Sequence, residues 1–194
     1  MKHSIFTIAL AFIVMVLSCQ IGTGKSKEKK WLKFKSKRSE YKPLTREESL
    51  KRARSFGINL DLKGAKLRDA DLSGKIFMST NLRDADLKNS ILRNANLTRA
   101  KLDRANLDGA IMDHAKLNSA SCVNTSLRGA NLANADLRDA VLTGANLSGA
   151  ILKNADLSRA NLIGANLKGA VLTNAVMDNT LLSGAIMPDG KIHD

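Results

Sequence analysis

The chain's 194 residues include 31 Lys and Arg against 18 Asp and Glu, a formal net charge of +13, and only 4% of them are aromatic. Two cysteines, Cys19 and Cys122, cannot make a disulfide framework, and His3, His114 and His193 share no Cys/His spacing suited to a metal ion. No cofactor is expected, and no catalytic residue, because His114 has no orienting partner at a spacing that would build a Ser-His-Asp arrangement.

Residues 1–18 read as a secretory signal peptide. Lys2 and His3 form a short basic start, and the apolar stretch from Ile5 to Leu17 is too short to span a bilayer as a helix. Its end, Val16-Leu17-Ser18-Cys19, resembles the bacterial lipobox, although Leu17 is a less common residue there. The resemblance implies lipidation of the Cys19 thiol, cleavage before it and acylation of the new amino terminus. Several acyl chains on one residue meet the requirement for stable anchoring. Gln20, in place of an acidic residue, implies an outer-membrane destination in a cell that has one. The other reading is an ordinary signal peptide with a coincidental cysteine.

Residues 19–44 read as a basic linker. Thirteen Lys or Arg against four Glu fall within residues 25–56, so most of the net charge lies there. Such a segment is too charged to bury a core. Lys29-Lys30-Trp31-Leu32-Lys33-Phe34-Lys35 interleaves bulky apolar groups with lysines. It fits either a stretch lying on anionic headgroups or a solvated spacer. Nucleic acid is not an expected partner for a chain addressed outward. Leu44-Thr45-Arg46-Glu47-Glu48 then predicts a helix over 45–56, with Thr45 and Glu48 as a capping box and Gly57 as its stop. Leu50, Ala53 and Phe56 share its apolar side, which suits a cap on the end of a solenoid.

From Leu62 to Met187 every fifth residue is Leu, or at a few places Phe, Met or Cys, and two residues earlier sits a small residue, usually Ala. Neither regular structure buries this period. On an α-helix successive leucines fall about 140° apart, and on one long strand they alternate between faces. The chain must therefore turn between leucines. Gly, Asn and Asp recur at the position before the Ala, as at Gly64, Asp69, Gly74 and Asp84, and these residues tolerate left-handed corners. Each unit is one straight edge and one corner. Among outward residues just before the Leu, the apolar ones Ile91, Ile111, Ile151 and Val171 differ by multiples of twenty, interrupted by Asn131. Twenty residues per coil means four edges. Ile76 and Val141 lie off that column.

These units, for example Ala145-Asn146-Leu147-Ser148-Gly149, resemble the pentapeptide-repeat family, whose pattern is A-(D/N)-L-x-x. The resemblance implies an all-β, right-handed quadrilateral parallel β-helix over 57–189, with a tail over 190–194. Thr80, Ser90, Thr125 and Thr180 replace Ala with other small residues. Lys75 is anomalous, since a charge in an inward slot is costly unless it reaches solvent. It predicts either a bulge over 75–78 or an amine snorkelling from the corner.

Carboxylates Asp103, Asp108 and Asp113 look clustered, but their spacing places them on three successive edges, with Asp103 beside Arg83 and Val123. A metal site there is not expected. Two apolar surfaces are candidate interfaces. One is the partial ladder Ile91, Ile111, Ile151 and Val171. The other is the end cluster Val171, Val176, Leu181 and Ile186, which awaits either the tail 188–194 or another subunit. Some members of the family pair end to end through their C-termini, so the resemblance implies a homodimer as one occupant. A column of Arg68, Lys88, Arg128 and Lys168, broken by Asp108, reads as a solvated basic face or a weak anion-binding one, the former preferred.

Together these readings predict a non-enzymatic, lipid-anchored interaction module of the bacterial cell envelope, with an unidentified protein partner. The alternative is a DNA mimic that binds topoisomerase, as in fluoroquinolone-resistance members of the family. That role needs a strongly negative rod, whereas residues 57–194 hold seventeen basic and fourteen acidic residues.

Overall fold

The computed structural model describes residues 44–54 and 59–194. The signal segment, Cys19, the linker as far as residue 43, and Phe56 and Gly57 lie outside the described residues.

From Asp61 to Asn166, each residue preceding a central Leu forms a parallel bridge with the residue twenty further along, without exception. Four units therefore make one coil. We number the faces 1 to 4 by their first central residues, Leu62, Leu67, Leu72 and Phe77, each continuing in steps of twenty. Leu97 and Leu117 are successive rungs of face 4, and both are fully buried. Phe77, Met112 and Cys122 take the Leu slot and are buried as completely.

The backbone explains why five residues suffice for an edge and a corner. Leu62 N–H donates to the Asn81 carbonyl at 2.8 Å, and Gly64 N–H to that of Arg83 at 2.8 Å. Asn81 N–H donates back to Leu60 at 2.8 Å, while Ala65 N–H closes the corner onto Leu62 at 3.0 Å. The residue before each inward small side chain has a positive φ, from 54° at Ser79 to 70° at Gly169, as at the third position of a type II turn. At Gly144 a side chain would also collide with the Asn124 amide oxygen.

One N–H per unit remains, that of the residue after the Leu. The Asp or Asn two positions earlier accepts it. All twelve such residues in the repeat do so, over 2.9–3.4 Å, from Asp61 with Lys63 to Asn166 with Lys168. The polar residue before the Leu is therefore part of the backbone accounting.

Lys75 makes no bulge. Its N–H bonds Leu72 at 3.2 Å, its carbonyl accepts Asn96 at 2.9 Å, and Phe77 N–H bonds Asn96 at 2.7 Å, as in every other unit. The residue is half-buried, so the ladder is kept and part of the side chain reaches solvent. The small-residue substitutions differ among themselves. The Thr125 and Thr180 hydroxyls donate to carbonyls of Leu102 and Leu157 at 2.8 and 2.9 Å. Those of Thr80 and Ser90 are buried without a partner. Replacing Ser90 with Ala, the usual residue of that slot, is expected to stabilise the fold by about 1 kcal/mol in chemical denaturation.

Helix α1 spans Arg46–Arg54, with the expected capping box: Glu48 N–H donates to Thr45 Oγ1 at 3.2 Å and Thr45 N–H to Glu48 Oε2 at 2.9 Å. Ala53 is buried, and Leu44 and Leu50 pack on the first coil. Ser49 is the residue that sequence reasoning missed. Fully buried, it donates to the Thr45 carbonyl at 2.7 Å and accepts Lys66 N–H at 3.0 Å, occupying the place of a preceding coil.

At the other end the chain reverses over residues 187–191, with Gly190 at φ 86°. Ile192 then pairs antiparallel with Ile186, and His193 N–H bonds Ala185 at 2.8 Å. The tail thus lines one edge only, that of face 2. Leu172, Met177 and Leu182, which end the other three faces, are partly exposed.

Candidate interaction surfaces

Several charges on the rod are paired across coils, and Arg138 also pairs within its own unit. Arg83 Nε lies 2.8 Å from Asp103, Arg93 Nε 2.9 Å from Asp113, Arg104 Nε 2.7 Å from Asp84 and Arg159 Nε 2.7 Å from Asp139. Arg138 sits 2.8 Å from Asp136 and 3.7 Å from Asp156. Hydrogen bonds from Arg104, Arg138 and Arg159 hold Asp84, Asp136 and Asp139 below the usual carboxylate range. On face 2, Arg68 pairs with Asp86 at 3.6 Å, and Asp108, which interrupts the basic column, accepts the Arg128 N–H at 3.1 Å.

Asp103, Asp108 and Asp113 do fall on faces 1, 2 and 3. Asp103 is buried and serves the next coil as well as Arg83: it accepts the Ser121 hydroxyl and, at 3.2 Å, the Val123 N–H. Asp108 does the same for the Ser126 hydroxyl and the Arg128 N–H. Ser121 and Ser126 stand where Asp or Asn accepts the local N–H elsewhere, so each aspartate supplies from one coil back what the serine lacks. Burial raises the Asp103 pKa, but the bonds from Ser121, Arg83 and Val123 outweigh it and leave the group lowered.

His193 Nδ1 lies 3.0 Å from the main-chain oxygen of Asp194, and His114 joins no carboxylate among the described residues. His114 stands at a corner in line with Asn134, Asn154 and Asn174, its Nε2 3.5 Å from the Asn134 amide nitrogen, and Asn154 and Asn174 continue that row at 3.1 and 3.2 Å. Cys122 is wholly buried, and desolvation with the nearby Asp103 charge pushes its thiol up to about 12. It is expected to resist thiol reagents in the folded state and to react only on unfolding, as a thiol-release assay with and without denaturant would show.

The apolar candidates are where the spacing placed them. Ile91, Ile111, Ile151 and Val171 form one outward column on face 3, with Asn131 between Ile111 and Ile151. Ile151 and Val171 are exposed and the first two half-buried. At the C-terminal end Val171, Val176 and Leu181 stay exposed, at 43%, 42% and 53%, while Ile186 is half-buried beside the tail. Face 1 adds Val141 and Ile163, also exposed.

Among curated proteins none matches the chain. A family model for pentapeptide repeats matches residues 80–118, 120–159 and 150–187. Solved structures similar to it include HetL, a pentapeptide repeat protein involved in heterocyst differentiation regulation from the cyanobacterium Nostoc sp. strain PCC 7120. It is 34% identical over 69% of this chain and 78% of its own, with a TM-score of 0.25. A pentapeptide repeat protein from the Arabidopsis thaliana thylakoid lumen is 34% identical over 66% of this chain and 72% of its own, with a TM-score of 0.25. QnrB1, a plasmid-mediated fluoroquinolone resistance protein, is 23% identical over 69% of each chain, with a TM-score of 0.27. With the family model matched over more than half of the chain, and HetL 34% identical across 78% of its own length, the chain belongs to the pentapeptide-repeat family.

Proposed function

We propose that the protein is a non-enzymatic interaction module, held at the bacterial cell envelope by lipid on Cys19, which presents the C-terminal half of its rod to a protein partner. The observation that carries this reading is the uneven surface. Residues 60–119 hold nineteen charged side chains and residues 120–187 only nine. The exposed large apolar residues follow the opposite trend, with Val141, Ile151, Ile163, Val171, Val176, Leu181 and Ile192 in the second half against Ile76 in the first. Exposed apolar residues with few charges between them are what protein contacts use, and here they lie on several faces and draw together towards the C-terminal end. The open end, with three edges left uncovered by the tail, extends that surface and is where an end-to-end homodimer would form.

The lipid anchor rests on the Val16-Leu17-Ser18-Cys19 motif. Globomycin is expected to accumulate the unprocessed precursor, and the mature protein to fractionate with membranes; Cys19→Ala should release it. Processing that ignores both would reject the anchor. The topoisomerase reading is disfavoured by the charge of residues 57–194, seventeen basic against fourteen acidic, with seven of the acidic residues paired to arginines. Inhibition of supercoiling by the purified protein would revive it.

A further inference from the structure

We propose that face 3 is a self-complementary surface on which two copies of the chain pack side by side and antiparallel, on a two-fold axis at the level of Asn131. The outward column reads Ile91, Ile111, Asn131, Ile151, Val171 in successive coils, so it is nearly the same in both directions. A two-fold axis running along the strands at Asn131 sets Ile111 against Ile151 of the second copy, Ile91 against Val171, and Asn131 against itself. An interface of this kind demands that each residue meet its reciprocal partner.

The neighbouring outward column offers one complementary pair about the same axis. It reads Arg93, Asp113, Ala133, Lys153, Thr173. The axis brings Lys153, which has no carboxylate partner among the described residues, opposite Asp113, where it would share the carboxylate with Arg93; it sets Arg93 against Thr173 and leaves the small Ala133 facing its own copy. Corner residues beside Ile111, Asn131, Ile151 and Val171 are Gly109, Gly129, Gly149 and Gly169, so side chains at that edge are confined to Asn89 beside Ile91, while the opposite corner of the face carries Asn94, His114, Asn134, Asn154 and Asn174.

Other arrangements of the same two faces are worse. A parallel pair would set the isoleucines against Arg93, Asp113 and Lys153. Slipping the antiparallel pair by one coil puts Arg93 opposite Lys153 in one direction, and in either direction sets Asn131 against an isoleucine, with no partner for its amide. The patch is roughly 20 Å long, five rungs at the spacing of neighbouring strands. One edge of that length buries less than a standard interface, about 800 Å² per partner, so the association is weak and concentration-dependent.

This inference rests on reading face 3 as a contact surface and needs no anchor, so the globomycin result bears on neither outcome. Its test uses the full chain carrying Cys19→Ser, in which the remaining native thiol, Cys122, is buried. A bismaleimide reaching across one sheet-to-sheet gap, about 10 Å, is applied to single-cysteine variants. Ala133→Cys should cross-link to itself at least fivefold more than Thr143→Cys on face 1 or Ser148→Cys on face 2. Ile91→Cys and Val171→Cys should each stay monomeric alone and join when mixed. Lys153→Glu should reduce the Ala133→Cys product several-fold, and adding Asp113→Lys should restore it. Equal cross-linking on all faces, joining only through Leu181→Cys at the open end, or Ile91→Cys joining to itself would each overturn the proposal.

Discussion

Replacing Asp103 with alanine is expected to cost about 2–3 kcal/mol, far more than a surface carboxylate usually contributes. The reason is the number of groups that depend on it. Arg83, the Ser121 hydroxyl and the Val123 N–H all donate to this one buried side chain, and alanine leaves the last two without an acceptor. Urea denaturation should report the loss. A second substitution separates this account from simple loss of an ion pair. Ser121→Asn places an amide oxygen where Asn131 already accepts the Ala133 N–H at 3.1 Å, so it should recover about 1 kcal/mol in the Asp103→Ala background. Recovery by Ser121→Asn is not expected if the arginine contact alone matters.

The same group gives the stability a pH dependence of definite sign. Its folded-state pKa is lowered from 3.8, so the unfolded chain binds the proton more readily. Its contribution is fully present above the ordinary value and is lost as pH falls through the depressed one. The gap between wild type and Asp103→Ala should therefore hold down to the ordinary value of 3.8 and close only as pH falls further, through the depressed one. Asp84, Asp136 and Asp139, lowered by their arginines, act in the same direction. A stability gap that widened on acidification would contradict this assignment.

The division between what was legible in the sequence and what was not follows the range of each interaction. The five-residue period and the twenty-residue column are statements about side-chain direction, and both survive in the bridges and in the buried Leu column. Once the coil length is known, Asp103 beside Arg83 follows at once. The Asx contact of the residue before each Leu spans only two residues, yet it stayed hidden because a polar residue on an outer face already has a sufficient reason to be polar. Ser121 and Ser126 were opaque for the opposite reason. Their acceptors lie eighteen residues back, and only the completed ladder brings them together. The antiparallel turn of the tail has no precedent in the repeat, so periodicity could not announce it. At Lys75 the sequence left a bulge and an amine reaching solvent both open, because it shows a charge in an inward slot but not how far a long side chain reaches from a corner; the unbroken ladder excludes the bulge.

Deleting residues 44–54 is expected to have the other large effect, and to act at one end of the molecule. A solenoid coil is stabilised by its neighbours, so the first coil, lacking one before it, depends on α1. Without the helix, Lys66 N–H loses the Ser49 acceptor, and the first rungs, Leu62 and Leu67, lose their cover. Each leucine side chain exposed forfeits about 2 kcal/mol. For a chain of this size each kcal/mol lowers the melting temperature by about 2–4 °C, so a fall of several degrees should accompany aggregation from the exposed end. Hydrogen exchange locates the damage: amides of Leu62 and Leu67 should lose protection while those of Leu132 and Leu137, further along the rod, keep theirs. Ser49→Ala isolates the polar part of the cap and should cost about 1–2 kcal/mol without aggregation, because the apolar cover remains. A truncated protein that melts as wild type does and stays monodisperse would show that the first coil closes itself.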